Sequence, residues 1–153
     1  MVPQEAAAIL ESTFQRILAE STFADVWTLP TLSDPEVLES TELKIVMPLS
    51  APWRGSILIG ASEATAKDLA AGFHSLPDSM VDRGIALDFL AELAEMLARD
   101  IFCASDIAVQ TREPTEPTFE HATSMWSTAA GSRTAQGCNG TGRMIAALVP
   151  FSA

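Results

Sequence analysis

Between residues 80 and 102 the side chains Ile85, Phe89, Leu93, Met96 and Leu97 recur at helical spacing, and Leu90 and Ile101 widen the stripe. A helix over that stretch runs about 34 Å, and its apolar stripe has to be covered along its whole length. Two apolar runs just upstream offer a sheet for that purpose. Residues 43–49 contain Leu43-Lys44-Ile45-Val46-Met47, and residues 56–61 contain Ser56-Ile57-Leu58-Ile59-Gly60. Ser50-Ala51-Pro52-Trp53-Arg54-Gly55 connects them with turn residues, so the pair reads as a hairpin.

The remaining segments fill in around that pair. Residues 3–20 carry Ala6, Leu10, Phe14, Ile17 and Leu18 at helical spacing, with Pro3 suited to a first turn. Residues 28–41 hold Pro30, Ser33, Asp34 and Pro35 and read as a loop. Ser62 stands where an N-cap belongs, ahead of a helix that buries Ala66, Leu69, Ala70 and Phe73 and ends near His74. Residues 106–120 read as mixed, with a short strand over Ile107–Thr111. The C-terminal third reads as β structure, with Thr134–Cys138 and Arg143–Val149 flanking the turn-forming pair Asn139-Gly140. The expectation is a single α+β domain over 1–153, its sheet mostly antiparallel and its helices packed on one face.

The chain has 153 residues, and 48% of them are hydrophobic, enough for a sizeable core without covalent staples. Twenty Asp and Glu against nine Lys and Arg give a formal net charge of -11. That balance argues against nucleic acid and against an anionic membrane surface, both of which call for a basic footprint. No apolar stretch approaches the ~20 residues that span a bilayer, and the helical pattern of residues 1–20 is not that of a signal peptide. Cys103 and Cys138 lie far apart and build neither a disulfide framework nor a zinc site. The expectation is therefore a cytoplasmic protein with reduced, buried thiols and no metal of its own.

Asp88, Glu92, Glu95 and Arg99 are spaced i, i+4, i+7 and i+11 on one face of the long helix, away from its apolar stripe. Taken alone, this is the pattern of a solvated charged face. Glu95 and Arg99 have the favourable order for an ion pair, worth ~0.2–0.5 kcal/mol.

The run Gly55-Ser56-Ile57-Leu58-Ile59-Gly60-Ala61-Ser62-Glu63-Ala64-Thr65-Ala66-Lys67-Asp68-Leu69-Ala70, with Leu87-Asp88-Phe89-Leu90-Ala91-Glu92-Leu93-Ala94-Glu95-Met96-Leu97-Ala98-Arg99 after a turn, resembles the CheX branch of the CheC/CheX/FliY chemotaxis phosphatases. The likeness covers about residues 43–120; the ends match only in their order of elements. In that family an apolar strand with glycines leads into a helix opened by Ser-x-Glu-x-Ala. The next helix carries Asp or Ser, Glu four residues on and Asn three further, and a proline follows some twenty residues later. Asp88, Glu92 and Pro117 fit those positions. The resemblance implies two-component signalling in which the protein dephosphorylates a CheY-like receiver domain. Glu92 would meet a receiver lysine, the Asn would place the attacking water, and the receiver would supply the magnesium, so no cofactor belongs to this chain. Such chemistry is mostly positioning and charge stabilisation. The resemblance also implies a homodimer through sheet edges, with the C-terminal strands as candidates.

The chain departs from the pattern at the Asn position, which holds Glu95, and four residues later, where the family's small glycine is Arg99. An amide donates and accepts, whereas a carboxylate only accepts, and its charge would stand beside an anionic phosphoryl group. Three readings stay open. Glu95 turns the site into a surface that binds a receiver through Asp88, Glu92, Glu95 and Arg99 without catalysis; or Glu92 and Glu95 remain catalytic, with Glu95 as a base towards water in an active phosphatase; or the helix face is solvated and the fold is a structural or interaction module.

Other motifs carry less. Gly137-Cys138-Asn139-Gly140-Thr141-Gly142 lacks the Gly-Lys-Ser/Thr ending of a phosphate loop and precedes a strand. His74 and His121 have no metal-ligand spacing with either cysteine, and no nucleophile elbow marks a serine hydrolase. Trp27, Trp53 and Trp126 read as core or interface anchors. Glu11 and Phe14 faintly echo the spacing of Glu92 and Glu95, as chance would allow.

Overall fold

The hairpin expected over 43–61 is the centre of the molecule. In the computed structural model, which describes residues 2–29 and 34–151, β2 (Leu43–Ala51) pairs antiparallel with β3 (Gly55–Ala61), and Ile45, Val46 and Met47 face Ile59, Leu58 and Ile57. All six are buried. Successive residues of a strand point to opposite faces, so a run that is apolar at every position needs cover on both sides.

The other elements supply it. In chain order they are α1 (Gln4–Thr22), β1 (Val26–Thr28) and α2 (Asp34–Ser40) before the hairpin, then α3 (Glu63–His74), a 3-10 turn over Asp78–Met80, α4 (Arg83–Ile101), β4 (Gln110–Thr111), α5 (Phe119–Thr128), β5 (Arg133–Cys138) and β6 (Gly142–Pro150). The strands form one antiparallel sheet in the order β1-β5-β6-β3-β2-β4. The architecture is α+β, as expected.

On the first face Ile45, Met47, Leu49, Ile57, Ile59, Met144, Ala146 and Leu148 meet the apolar sides of α1, α3 and α4. These three long helices stack together, as the sequence suggests. On the second face Val46, Leu58, Ala135, Ile145, Ala147 and Val149 meet Val37 and Leu38 of α2 and Met125, Trp126 and Ala129 of α5. These two short helices fall in segments expected to be loop, mixed or β structure. In α2 only seven residues are helical, too few for periodicity to show, and Pro35 sits in the first turn, where its missing N–H costs nothing. In α5 the Thr118 hydroxyl accepts the His121 N–H at 3.1 Å, and Ala122, Met125 and Trp126 are buried at i, i+3 and i+4. Pro30 and Ser33, part of the loop expectation, lie outside the described residues.

Three smaller expectations need correction. The strand over Ile107–Thr111 shortens to Gln110–Thr111, and Ile107 is exposed. Both C-terminal strands are interior, β5 between β1 and β6 and β6 between β5 and β3. Their backbone donors are already paired, so a dimer through sheet edges would have to use β1 or β4 instead. Of the two thiols, Cys138 is buried but Cys103 is exposed in the turn after α4. The Asn139-Gly140 turn is as expected, with φ of 46° and 92° in the left-handed region that a tight hairpin requires.

Two measurements test this packing. Leu93→Ala on the first face should cost about 2–5 kcal/mol and Trp126→Ala on the second about 3–5 kcal/mol in urea unfolding. A loss under about 1 kcal/mol for Trp126→Ala would mean that α5 does not complete a core. Burial, with a smaller contribution from the charge of Asp68, pushes the Cys138 thiol up to about 12 from its ordinary 9.0. The folded state thus holds this proton, and its contribution to stability is fully present below pH 9.0 and drains away as pH climbs towards 12. Stability of the native protein should fall more steeply above pH 9.0 than that of Cys138→Ala. Parallel curves would contradict the buried-thiol account.

Candidate functional site

The long acidic helix is positioned by its ends and its buried side. Asp82 caps it, its carboxylate accepting the Ile85 N–H at 2.8 Å. Arg83 in the first turn forms a forked pair with Glu116, at 2.8 and 3.3 Å, and lies 3.9 Å from Glu63 at the start of α3. Near the other end Asp100 accepts from Arg16 of α1 at 2.8 Å. These ion pairs are exposed and worth little individually, so they set register rather than stability. Both arginines are raised above their ordinary value, chiefly by hydrogen bonds to Asp100 and to Glu116.

Between those ends Ala86, Phe89, Leu90, Leu93, Ala94, Leu97, Ala98 and Ile101 are buried. Phe89 packs against Phe73 of α3 with ring centroids 5.4 Å apart. Ile85 and Met96, expected in the apolar stripe, are half-buried at its margin. With one side fixed in this way, 3.6-residue periodicity forces the opposite side outwards.

The structure places all four predicted residues there. Asp88, Glu92, Glu95 and Arg99 are exposed, and among the described residues none has an ion-pair partner. The Glu95–Arg99 pair that their spacing permits is therefore absent. A gain of a few tenths of a kcal/mol does not outweigh the rotamer freedom of two long exposed side chains. Glu95 is left as an unpartnered carboxylate, and Arg99 does not neutralise it.

Pro117 is placed differently. It follows Glu116, which is tied to the first turn of α4, and it lines a cavity of about 350 Å³ with Leu38, Glu39, Glu42, Lys44 and Phe119. Arg83 and Glu92 are nine residues apart, about 14 Å along the helix axis, so this tie holds the start of α4, not the Glu92–Glu95 segment. In the same cavity the Lys44 ammonium donates to the carbonyls of Leu38, in the last turn of α2, and of Thr41, just beyond it. Burial lowers its pKa, partly offset by Glu42. The Arg83–Glu63–Glu116 contacts could not be read from the sequence, because they join three segments at no fixed spacing. Phe14 is wholly buried and Glu11 accepts from Thr28, so the faint echo in α1 builds no second site. His74 stands edge-on to Phe73. Among the described residues no three His, Cys, Asp or Glu are grouped to hold a metal ion, and no helix is long and apolar enough to cross a membrane.

No protein-family model matches the chain, and no curated protein matches it in sequence. Solved structures do match its fold. A chain of the CheX–CheY–BeF3–Mg2+ complex from Borrelia burgdorferi superposes with a TM-score of 0.62 at 12% identity, covering 95% of each chain. Chemotaxis protein CheX from Vibrio vulnificus gives 0.65 at 11% identity over 97% of this chain and 98% of that one. A CheC-like superfamily protein from Shewanella sp. PV-4 gives 0.60 at 10% identity over 98% and 100%. The chain thus has the CheX/CheC fold over nearly its whole length, and at these identities the likeness is one of fold.

Since the four charged residues are exposed and unpaired, they should be dispensable for folding. Alanine at Asp88, Glu92, Glu95 or Arg99 should change unfolding free energy by no more than about 0.5 kcal/mol. A loss well above about 1 kcal/mol at Glu95 would reveal a structural partner and remove it from the site.

Proposed function

We propose that this protein binds a CheY-like receiver domain on the outer face of α4, as a CheX-like component of chemotaxis or two-component signalling. The observation that carries this reading is the unpaired line Asp88, Glu92, Glu95 and Arg99 on a helix whose other side is locked into the core. The match to a CheX chain from a complex with CheY, BeF3 and Mg2+ supports it. Glu92 contacts a lysine of the receiver, and Asp88 and Arg99 flank that contact. Any magnesium comes with the receiver. The net charge of -11 favours encounter with a partner that presents a basic patch. The protein acts in the cytoplasm, and a homodimer forms through an exposed sheet edge, β1 or β4.

Glu95 decides the chemistry. In the position of a water-orienting amide its carboxylate can accept a hydrogen bond but cannot donate one. Two like unit charges about 4 Å apart, at an effective dielectric of roughly 20, repel by about 4 kcal/mol. With Arg99 not paired to it, no cation among the described residues pairs with Glu95 to relieve that repulsion. The surface therefore binds the phosphorylated receiver without hydrolysing it at a useful rate.

The test is the decay of a phosphorylated CheY-like receiver from the same organism, alone, with this protein and with its Glu95→Asn variant. Binding to the BeF3-loaded and unloaded receiver is measured alongside. Preference for the loaded form, with decay unchanged by the native protein but accelerated by Glu95→Asn, is the expected outcome. Acceleration by the native protein would restore catalysis to Glu92 and Glu95. Equal binding to both forms, or none, would leave a structural or interaction module.

A further inference from the structure

The second face of the sheet is covered by α2 and α5 only along part of its length. At its far end the chain segments around β2, β3, β4 and β6 converge. Pro48 faces Ser56 across β2 and β3, the Arg112 N–H donates to the Pro48 carbonyl at 2.9 Å, and the Phe151 N–H donates to the Arg54 carbonyl at 3.4 Å. Their side chains surround a cavity of about 350 Å³ lined by Pro48, Ser50, Arg54, Ser56, Arg112 and Phe151, among others.

Two features set this cavity apart. First, its sign is opposite to that of the protein. The chain carries twenty acidic and nine basic residues, yet two arginines line this one cavity and no carboxylate does. Elsewhere Arg16, Lys67 and Arg83 pair with carboxylates, Lys44, Arg133 and Arg143 donate to protein oxygens, and Arg99 stands on α4 among acidic residues. Arg54 and Arg112 are exposed, and among the described residues neither has a carboxylate partner. Glu113, the neighbour of Arg112 in the chain, does not line the cavity. Second, the arginines come with an apolar wall. The Arg54 guanidinium lies 5.3 Å from the centre of the Phe151 ring, and that ring is 64% exposed. A fork of donors for an anion, two hydroxyls beside it, of which Ser50 donates to the Gln110 side-chain oxygen at a long 3.4 Å, and an exposed aromatic face form a set that complements an anion attached to a flat apolar body.

We propose that this cavity binds a small organic phosphate, its anion held between Arg54 and Arg112 with Ser50 and Ser56 beside it, and its ring resting on Phe151 and Pro48. The site lies on the face of the sheet opposite α4, and it does not depend on the reading of the α4 surface.

Adenosine monophosphate serves as the probe, with adenosine and inorganic phosphate as its two halves, in amide chemical-shift titrations of the full chain. The expected result is saturable binding of the monophosphate with shifts centred on Gly55, Ser56, Arg112 and Phe151. Inorganic phosphate should act weakly at the same amides, and adenosine should not act at all. Arg54→Ala and Arg112→Ala should each weaken binding about tenfold or more, because charge-assisted hydrogen bonds are the strong ones. Both substitutions are at exposed positions, and an unchanged amide spectrum in the absence of ligand verifies the fold. Shifts that never saturate, that fall elsewhere, or that survive in the double variant would overturn the proposal. Inorganic phosphate binding as tightly as the monophosphate would overturn the role of Phe151.

Discussion

Burial of one side of α4 is the constraint on which the rest depends. Phe89, Leu93 and Leu97 are wholly buried, as are Ala86, Ala94 and Ala98 between them. The small residues let α4 approach α1, α3 and the sheet closely while the large ones fill the gaps. At about 25 cal/mol per Å², burial of this stripe is a large gain, and no alternative rotation of the helix recovers it. The helix is therefore fixed about its own axis. A surface for recognition gains most from such fixing, since side chains on a rotating or fraying helix would lose affinity to ordering costs. Asp88, Glu92, Glu95 and Arg99 hold their relative positions because of residues on the other side of the cylinder.

That link between hidden and exposed faces explains what the sequence made legible. The periodicity of Phe89, Leu93 and Leu97 places the charged face without any knowledge of the fold, and Ser62 announces α3 because capping is local chemistry. The Thr65 N–H does donate to the Ser62 hydroxyl, at 3.2 Å. The second face was harder. Its helices are short, and Thr118, the cap of α5, follows Glu113-Pro114-Thr115-Glu116-Pro117, where two prolines suggest irregular chain. The same residues carry a tie no local rule reveals, with Thr115 exchanging backbone hydrogen bonds with Val46 at 2.8 and 3.0 Å and Glu116 reaching Arg83. The near-continuous burial of β2 and β3 was the available signal. A strand apolar at every position announces cover on both faces, and the short helices α2 and α5 provide it.

Trp27 shows how far side-chain type alone can mislead. On edge strand β1 it is 39% exposed, as an interface anchor would be, yet its ring lies across Gly137 of β5, where an added Cβ would come within 2.3 Å of it. The glycine is the seat for the ring. Trp53 and Trp126, by contrast, are buried, and Trp53 stacks on Phe102 with centroids 5.8 Å apart. Three tryptophans that read alike in the sequence serve an edge, the end of the first-face core and the second-face core, and only their tertiary neighbours separate these roles.

Exposure of Glu95 bears on how a site changes chemistry while keeping its fold. Glu95 is exposed and makes no ion pair among the described residues, so substitution there is barely constrained by stability. Against an asparagine, a glutamate is one methylene longer and a somewhat better helix former, and it differs by a full charge and a donor group. A fold whose buried side sets the geometry can thus change the charge of its surface at one residue without changing its packing. The arrangement of charge follows the same logic. Acidic groups collect on the outer face of α4, and Arg54 and Arg112, without carboxylate partners among the described residues, line a cavity on the other face of the sheet. The packed sheet between them is covered on both sides, so each surface is built on a separately buried face.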